Sequence, residues 1–176
     1  EPGMAFGTGQ HETTFLCLKL LEQILCTSEA EQKPSLLDLG TGSGCLILSI
    51  VKERPHLLGT AIDISKKALK IAINNAKMHH LENKIKFINI DIDKFNNNKY
   101  DFIVSNPPYI NEINFKRLGA NVKLFEPTIA LKAGLDGLKI IENIIKKSEK
   151  LLKKNGKLIF EIGENQESKV KKLLME

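Results

Sequence analysis

Short apolar runs alternate along the chain with longer segments whose apolar residues repeat at helical spacing. Runs of Leu, Ile and Val that stop at a polar residue are typical of buried strands, whereas repeats at i, i+3 and i+4 indicate a helix with one buried face. Strands are predicted over residues 36–39, 58–62, 85–90, 101–105 and 158–162. Helices are predicted over residues 13–26, 45–52, 66–80, 138–152 and 168–174, with Gly156 ending the fourth. This alternation predicts an α/β fold with a mostly parallel sheet and helices on both faces.

A glycine-rich loop joins the first predicted strand to the helix that follows it. The loop reads Gly40, Thr41, Gly42, Ser43, Gly44, and a strand, a glycine loop and a helix in this order open a doubly wound nucleotide-binding sheet. Its glycine spacing departs from the dinucleotide fingerprint, and Asp38 stands at the strand end. A pyrophosphate favours bare N–H groups without a neighbouring carboxylate. Asp38 therefore favours a ligand that carries an ammonium group, such as the methionine half of S-adenosylmethionine.

Two further predicted strands also end on acids. Asp63 ends the second strand, 19 residues after Gly44, where a carboxylate typically holds the two hydroxyls of a ribose. Asp91 follows the third strand and could accept from an adenine amino group while Ile92 packs on the ring. Each acid alone has a simpler interpretation as a solvated surface residue. Three in register favour a ligand site at one edge of the sheet.

The fourth predicted strand stops at Asn106, Pro107, Pro108 and Tyr109. Proline has a fixed φ and no N–H, and it holds the preceding residue in an extended conformation. The result is a stiff corner rich in acceptors, where the Asn106 side-chain oxygen and the Pro107 carbonyl could accept both hydrogens of an sp² amino group. Tyr109 would then lie against the flat face of the substrate. A surface turn is the alternative interpretation, because Asn-Pro-Pro is also good turn chemistry.

Two irregular segments flank this predicted core. Residues 3–14 are glycine-rich, which suits either a close approach to a ligand or a flexible loop before a helix. Residues 111–137 form a long stretch directly after the Asn-Pro-Pro-Tyr corner. Long loops are uncommon without a function, so we expect a lid or a substrate-cradling segment there.

Composition narrows the class of protein. At 176 residues we expect a single domain, residues 1–176, with ordinary apolar and charged fractions. The net charge of +5 sits mostly on predicted helix faces, which favours a solvated basic surface over a nucleic-acid patch. Three cysteines without close pairing disfavour disulfides and zinc, so we expect no metal and a cytoplasmic location. No apolar run approaches a membrane span or forms a leader, and the start at Glu1 suggests a fragment.

The motifs from Asp38 to Gly44, at Asp63, at Asp91 and from Asn106 to Tyr109 together resemble the class I S-adenosylmethionine-dependent methyltransferases that methylate nitrogen. Within them, the chain is similar to the release-factor glutamine methyltransferases over about residues 36–174. The segments that carry the closer resemblance are Phe125-Glu126-Pro127 with Ala130-Leu131, Gly134-Leu135-Asp136-Gly137-Leu138, and Glu161-Ile162-Gly163 with Gln166.

This resemblance implies a Rossmann-like class I sheet and methyl transfer from S-adenosylmethionine, with S-adenosylhomocysteine as product, to a glutamine side-chain amide. The implied partner is a peptide-chain release factor, methylated in its Gly-Gly-Gln loop. Asn106, Pro107 and Tyr109 are the implied catalytic residues, and together with Pro108 they would bind the substrate. The implied cofactor residues are Thr14, Asp38, Gly40, Thr41, Gly42, Gly44, Asp63, Ile64, Asp91, Ile92 and Asn106.

The N-terminal region departs from that family. Residues 2–14 instead resemble the cofactor-side segment of methyltransferases that modify lysines on a ribosomal protein, which implies a cofactor contact for Thr14. The chain is therefore expected to consist of a cofactor-side segment, residues 1–34, and a core, residues 35–176, as a hybrid or as a divergent natural member. The helical N-terminal recognition domain is missing, and so is the strand pair expected beyond the last helix.

Two other functions stay open on the sequence alone. The same corner suits an adenine amino group of DNA or RNA, flipped out of its helix to reach the site. The missing recognition domain suits a cofactor-binding scaffold without turnover. The sequence does not indicate an oligomeric state.

Overall fold

The described part of the chain forms one parallel sheet with helices on both of its faces. The computed structural model describes residue 19 and residues 33–96, 98–107, 138–163 and 165–175. The strands are β1 (Ser35–Leu39), β2 (Leu58–Asp63), β3 (Ile85–Asn89), β4 (Tyr100–Ser105) and β5 (Leu152–Phe160). The helices are α1 (Cys45–Glu53), α2 (Lys66–Met78), α3 (Lys139–Leu151) and α4 (Glu167–Leu173), with a 3₁₀ turn at Ile92–Lys94.

The strand order is β3-β2-β1-β4-β5, and each neighbouring pair is parallel. The chain first builds outwards from β1 to β3 and then returns to the other side of β1 for β4. Leu39 pairs with Ile62 on one side and with Ser105 on the other, so the carboxyl ends of these three strands are level. In open α/β sheets a ligand binds at this edge, where the strand order reverses.

The core fills both faces of the sheet. Leu36 packs with residues of α1 such as Ile47 and Val51, whereas Leu37 packs on the other face with Ile144 of α3. Consecutive strand residues alternate between faces, so two buried faces require strands that are apolar throughout. This packing confirms the predicted α/β class with helices on both faces.

The start and the buried face of helix α2 follow directly from its local sequence. Ser65 Oγ accepts from Ala68 N at 3.2 Å and caps its first turn, as an N-cap serine is expected to do. The buried residues of α2 lie at helical spacing on one face: Ala68, Leu69, Ala72 and Ala76. Among the helices of the described residues, none has the length and apolar character needed to cross a membrane.

The end of α3 and the start of β5 differ from the prediction. A helix to residue 152 with a stop at Gly156 was expected, but α3 ends at Leu151 and β5 begins at Leu152. Leu152 pairs with Tyr100, and a register irregularity follows before Lys157 pairs with Phe102. The outer strand of the described sheet needs no continuous apolar pattern, so its exposed polar first half is easily mistaken for a helix end. The strand also stops at Phe160, before Glu161.

Candidate active site

The glycine loop is a tight backbone turn between β1 and α1. Gly44 caps α1 at φ 83°, and a Cβ there would lie 3.0 Å from Leu48 Cδ1 and 3.2 Å from Ala72 Cβ. This position therefore requires glycine for both its conformation and the approach of α2. A Cβ added at Gly40, where φ is 72°, would have no neighbouring atom within 4 Å, so open space lies beside its backbone.

The end of β2 holds this loop in place. The N–H groups of Gly40 and Thr41 both donate to the Ile62 carbonyl at 3.0 Å. Gly42 N donates to Asp63 Oδ2 at 2.9 Å, while Ser65 N donates to Asp63 Oδ1 at 2.8 Å. Asp63 is thereby fixed between the glycine loop and the start of α2.

Asp38 lies buried at the end of β1, with 1% of its surface exposed. Its Oδ2 accepts from Thr41 Oγ1 at 2.7 Å. Burial raises the pKa of Asp38 from its ordinary 3.8 to about 7, and the nearby Asp63 adds to the rise, while the Thr41 hydrogen bond opposes it. Two residues before it, Leu36 packs on the α1 side of the sheet, so the pleat directs Asp38 to that side as well.

A cavity of about 560 Å³ lies at the carboxyl ends of the strands. The structure brings seven of the predicted site residues together around it: Gly40, Asp63, Ile64, Asp91, Ile92, Asn106 and Pro107. Four predicted cofactor residues belong to the loop or lie behind it and do not line the cavity: Asp38, Thr41, Gly42 and Gly44. Thr14, Pro108, Tyr109 and the expected lid at 111–137 lie outside the described residues.

One wall of the cavity combines carboxylates with apolar side chains. Asp63 and Asp91 each accept a hydrogen bond from a backbone N–H two residues further along the chain. Asp63 Oδ1 accepts from Ser65 N at 2.8 Å, and Asp91 Oδ1 accepts from Asp93 N at 2.9 Å. A carboxylate has about four acceptor sites, so both acids keep capacity for a ligand. Ile64 is 56% exposed beside Asp63, which leaves an apolar surface open to the cavity.

Another wall is the end of β4. Ser105 Oγ donates to the Leu39 carbonyl at 2.7 Å and ties the ends of β4 and β1 together. Directly after it, Asn106 Oδ1 is buried and has no hydrogen-bond partner among the described residues. A buried acceptor without a donor is costly, so this oxygen is arranged to receive one.

The first turns of α3 form a wall that the sequence analysis did not foresee. Lys139, Ile140 and Asn143 line the cavity. Asn143 Nδ2 donates to Asp93 Oδ1 at 2.6 Å, and Lys147 Nζ donates to the Asp93 carbonyl at 2.6 Å. Lys139 and Asn143 lie four residues apart and so share one helix face, which the sequence analysis did not interpret.

The fold and the site together define a Rossmann-like class I methyltransferase domain. Similar solved structures include a ribosomal protein L11 methylase from Lactobacillus delbrueckii subsp. bulgaricus, with a TM-score of 0.65 and 22% identity over 95% of this chain and 69% of that one. Another is a SAM-dependent methyltransferase from Geobacter sulfurreducens in complex with S-adenosyl-L-homocysteine, with a TM-score of 0.52 and 19% identity over 82% of this chain and 47% of that one. A profile of the family described as ribosomal protein L11 methyltransferase (PrmA) matches residues 1–169, so the chain belongs to that family.

The curated relatives carry other names. A bifunctional methyltransferase of Rickettsia prowazekii (strain Madrid E) is 40% identical over 162 residues, which are 92% of this chain and 30% of the relative. A release factor glutamine methyltransferase of Streptococcus pneumoniae is 42% identical over 146 residues, 83% of this chain and 52% of the relative. A ribosomal protein uL3 glutamine methyltransferase of Francisella tularensis is 36% identical over 140 residues, 79% of this chain and 44% of the relative. The resemblance to methyltransferases of this kind is confirmed, and the chain spans about a third to a half of these relatives' lengths.

Proposed function

We infer that this chain transfers a methyl group from S-adenosylmethionine to the side-chain amide nitrogen of a glutamine in a protein. The observation that carries the proposal is the buried, unpartnered Asn106 Oδ1 at the rim of the cavity. A primary amide offers two N–H donors to such an acceptor. The neighbouring Pro107 contributes a carbonyl and no N–H, so the corner accepts hydrogens and offers few in return.

The cavity suits the adenosine part of the cofactor. Its volume of about 560 Å³ falls within the range usual for small-molecule sites. Asp63 would hold the ribose hydroxyls, Asp91 would accept from the adenine amino group, and Ile64 and Ile92 would pack on the ring. Asp38, deprotonated by the approach of an ammonium group, would attract the methionine end.

The proposed reaction requires the protein to activate a poor nucleophile. An amide nitrogen is unreactive because its lone pair is delocalised into the carbonyl. Acceptors at Asn106 Oδ1 and the Pro107 carbonyl would bind both hydrogens and favour the pyramidal nitrogen of the transition state over the flat ground state. Bound here, S-adenosylmethionine would supply a sulfonium methyl that the nitrogen takes, leaving the bonding pair on sulfur as S-adenosylhomocysteine while the nitrogen gives a proton to water. Most of the remaining acceleration would come from orientation.

The proposed protein substrate is a peptide-chain release factor. A relative named release factor glutamine methyltransferase matches 83% of this chain. A relative named for ribosomal protein uL3 also matches, and both names specify glutamine, so the residue type is better supported than the partner.

A substrate panel tests the proposal. The full chain is incubated with methyl-labelled S-adenosylmethionine and, separately, a release factor, ribosomal protein uL3 and an unmethylated adenine oligonucleotide. We expect label on the release factor, at a glutamine located by mass spectrometry of its peptides. Label on the oligonucleotide alone would replace the proposal with an adenine methyltransferase, and cofactor binding without transfer to any substrate would leave a scaffold without turnover.

A further inference from the structure

Glu161 is a buried carboxylate directly beside the end of β4. It follows β5, and its N–H donates to the Ser105 carbonyl at 3.0 Å, one residue beyond the last paired residues, Ser105 and Phe160. The ladder thus continues far enough to set Glu161 alongside Asn106. Neighbouring strands lie roughly 4.8 Å apart, which is within reach of both side chains.

Glu161 and Asn106 also project from the same face of the sheet. Phe160 and Ile162 pack in the cluster of α3 and α4, whereas Ile159 packs on the α1 side, so Glu161 alternates onto the α1 side. Val104 packs on that side too, and Asn106 follows it by two residues. Proline at 107 keeps Asn106 extended, which preserves the alternation.

Each of these two residues has one buried oxygen without a hydrogen-bond partner among the described residues. They are Glu161 Oε2 and Asn106 Oδ1, and Glu161 as a whole is only 6% exposed. A carboxylate can only accept, whereas an asparagine amide carries an oxygen and an NH₂ group that differ little in size. A carboxylate beside the amide would repel Oδ1 and attract Nδ2.

We propose that Glu161 is a positioning residue: in the cofactor-bound chain its carboxylate, whose buried Oε2 has no partner among the described residues, accepts a hydrogen bond from Asn106 Nδ2 and thereby directs Asn106 Oδ1 towards the substrate amide. This inference rests on the proposed function, in which Asn106 Oδ1 accepts from that amide. The charge of Glu161 also polarises the Asn106 amide and strengthens its oxygen as an acceptor. Without the carboxylate, both flipped forms of the Asn106 amide would be populated, and one of them offers a donor where an acceptor is needed.

Glu161→Gln tests the role, because glutamine keeps the size but accepts either form of the Asn106 amide. We expect kcat for methyl transfer to fall about 10-fold to 100-fold, as when an orienting partner is lost, with the cofactor Kd changed by less than about threefold. Glu167→Gln is the matched control, since Glu167 is exposed on α4 and pairs with Lys171 on the same exposed helix face. An unchanged kcat, or a parallel loss of cofactor affinity, would overturn the inference.

Coupling to Asn106 separates positioning from a general structural effect. If Glu161 acts through Asn106, then Glu161→Gln should cost little further activity in an Asn106→Ala background. Equal losses in both backgrounds would contradict that route.

A second readout does not depend on turnover. In the cofactor-bound chain, one Asn106 Nδ2 proton should resonate downfield by NMR, and this signal should move upfield in Glu161→Gln but not in Glu167→Gln. Glu161→Asp keeps the charge and should retain the signal in weaker form, which decides the question should Glu161→Gln not fold. A wild-type chain that methylates no substrate would refute the proposed function, whereas an Asn106 signal insensitive to Glu161 would refute the positioning role.

Discussion

Asp38, Asn106 and Glu161 each have a buried polar side-chain atom at the carboxyl end of a strand, β1, β4 and β5 respectively. Desolvated polar atoms cost free energy unless they are paired, and positions that break this rule are usually functional. Asp38 shows the cost most directly, because burial raises its pKa to about 7. These positions therefore lower the stability of the ligand-free protein, which is the cost expected of the ligand-binding roles proposed for them.

Asp38 should make the cofactor-free protein less stable as the pH rises. Its pKa is about 7 when folded and near 3.8 when unfolded, so the folded state retains a proton that the unfolded state has already released. Its contribution to the free energy of unfolding is full below about pH 4 and is lost as the pH rises through 7, by at most about 4 kcal/mol. Asp38→Asn removes this dependence, which urea unfolding at pH 5 and pH 8 would detect.

Asp101 provides a control of opposite sign. Partial burial tends to raise the pKa of Asp101, but hydrogen bonds from Lys153 and Ser35 outweigh it and lower the pKa. Its stabilising contribution is thus present above about pH 4 and lost as the pH falls. An Asp38→Asn variant with the same pH dependence as the wild type would show that Asp38 does not hold the proton assigned to it.

At the scale of elements, the glycine loop and α3 both border the cavity. The loop is bonded to the end of β2, and α3 is bonded through Asn143 and Lys147 to the turn that follows β3. The elements around the glycine loop could be predicted from the sequence, because their apolar patterns follow burial. These elements are β1, α1, β2 and α2. The polar residues of α3 that line the cavity were missed. Helical periodicity shows which residues of a helix are buried, but it does not show what the remaining residues contact.

Gly44→Ala should destabilise the fold more than Gly40→Ala. Both positions have positive φ, which costs an alanine roughly 1–2 kcal/mol. Only at position 44 would the new methyl group also crowd Leu48 and Ala72, at 3.0 and 3.2 Å, and forced overpacking adds about 1–3 kcal/mol.

Urea unfolding of the two glycine variants at one pH measures this difference without any assay of activity. Equal losses of stability would show that the approach of α2 to the loop is looser than the contacts at Gly44 indicate.

At the scale of the whole molecule, the strand order places the described strand-end residues that line the cavity at one edge of the sheet. The reversal between β1 and β4 opens that edge, and the parallel sheet and its three acidic strand ends were predictable from apolar runs that stop at Asp38, Asp63 and Asp91. The start of β5 was not predictable, because Lys153, Lys154 and Asn155 lie exposed in an outer strand. The proposed interaction of Glu161 with Asn106 was not predictable from the sequence either, since it depends on the register between β4 and β5.

The proposed function requires Asn106 to act on the substrate amide and not on the cofactor. Removing its amide oxygen should remove an interaction made mainly in the transition state, so kcat should fall about 100-fold to 1000-fold, as for other oriented polar groups in active sites. The cofactor Kd should change by less than about threefold, because Asp63, Asp91 and the loop are untouched.

The most direct measurement is therefore the cofactor Kd by calorimetry and the methyl-transfer kcat of Asn106→Ala, compared in one buffer with the wild-type chain. A large loss of kcat with cofactor affinity retained is the predicted result. A parallel loss of both quantities, or full turnover without the Asn106 amide, would contradict the account.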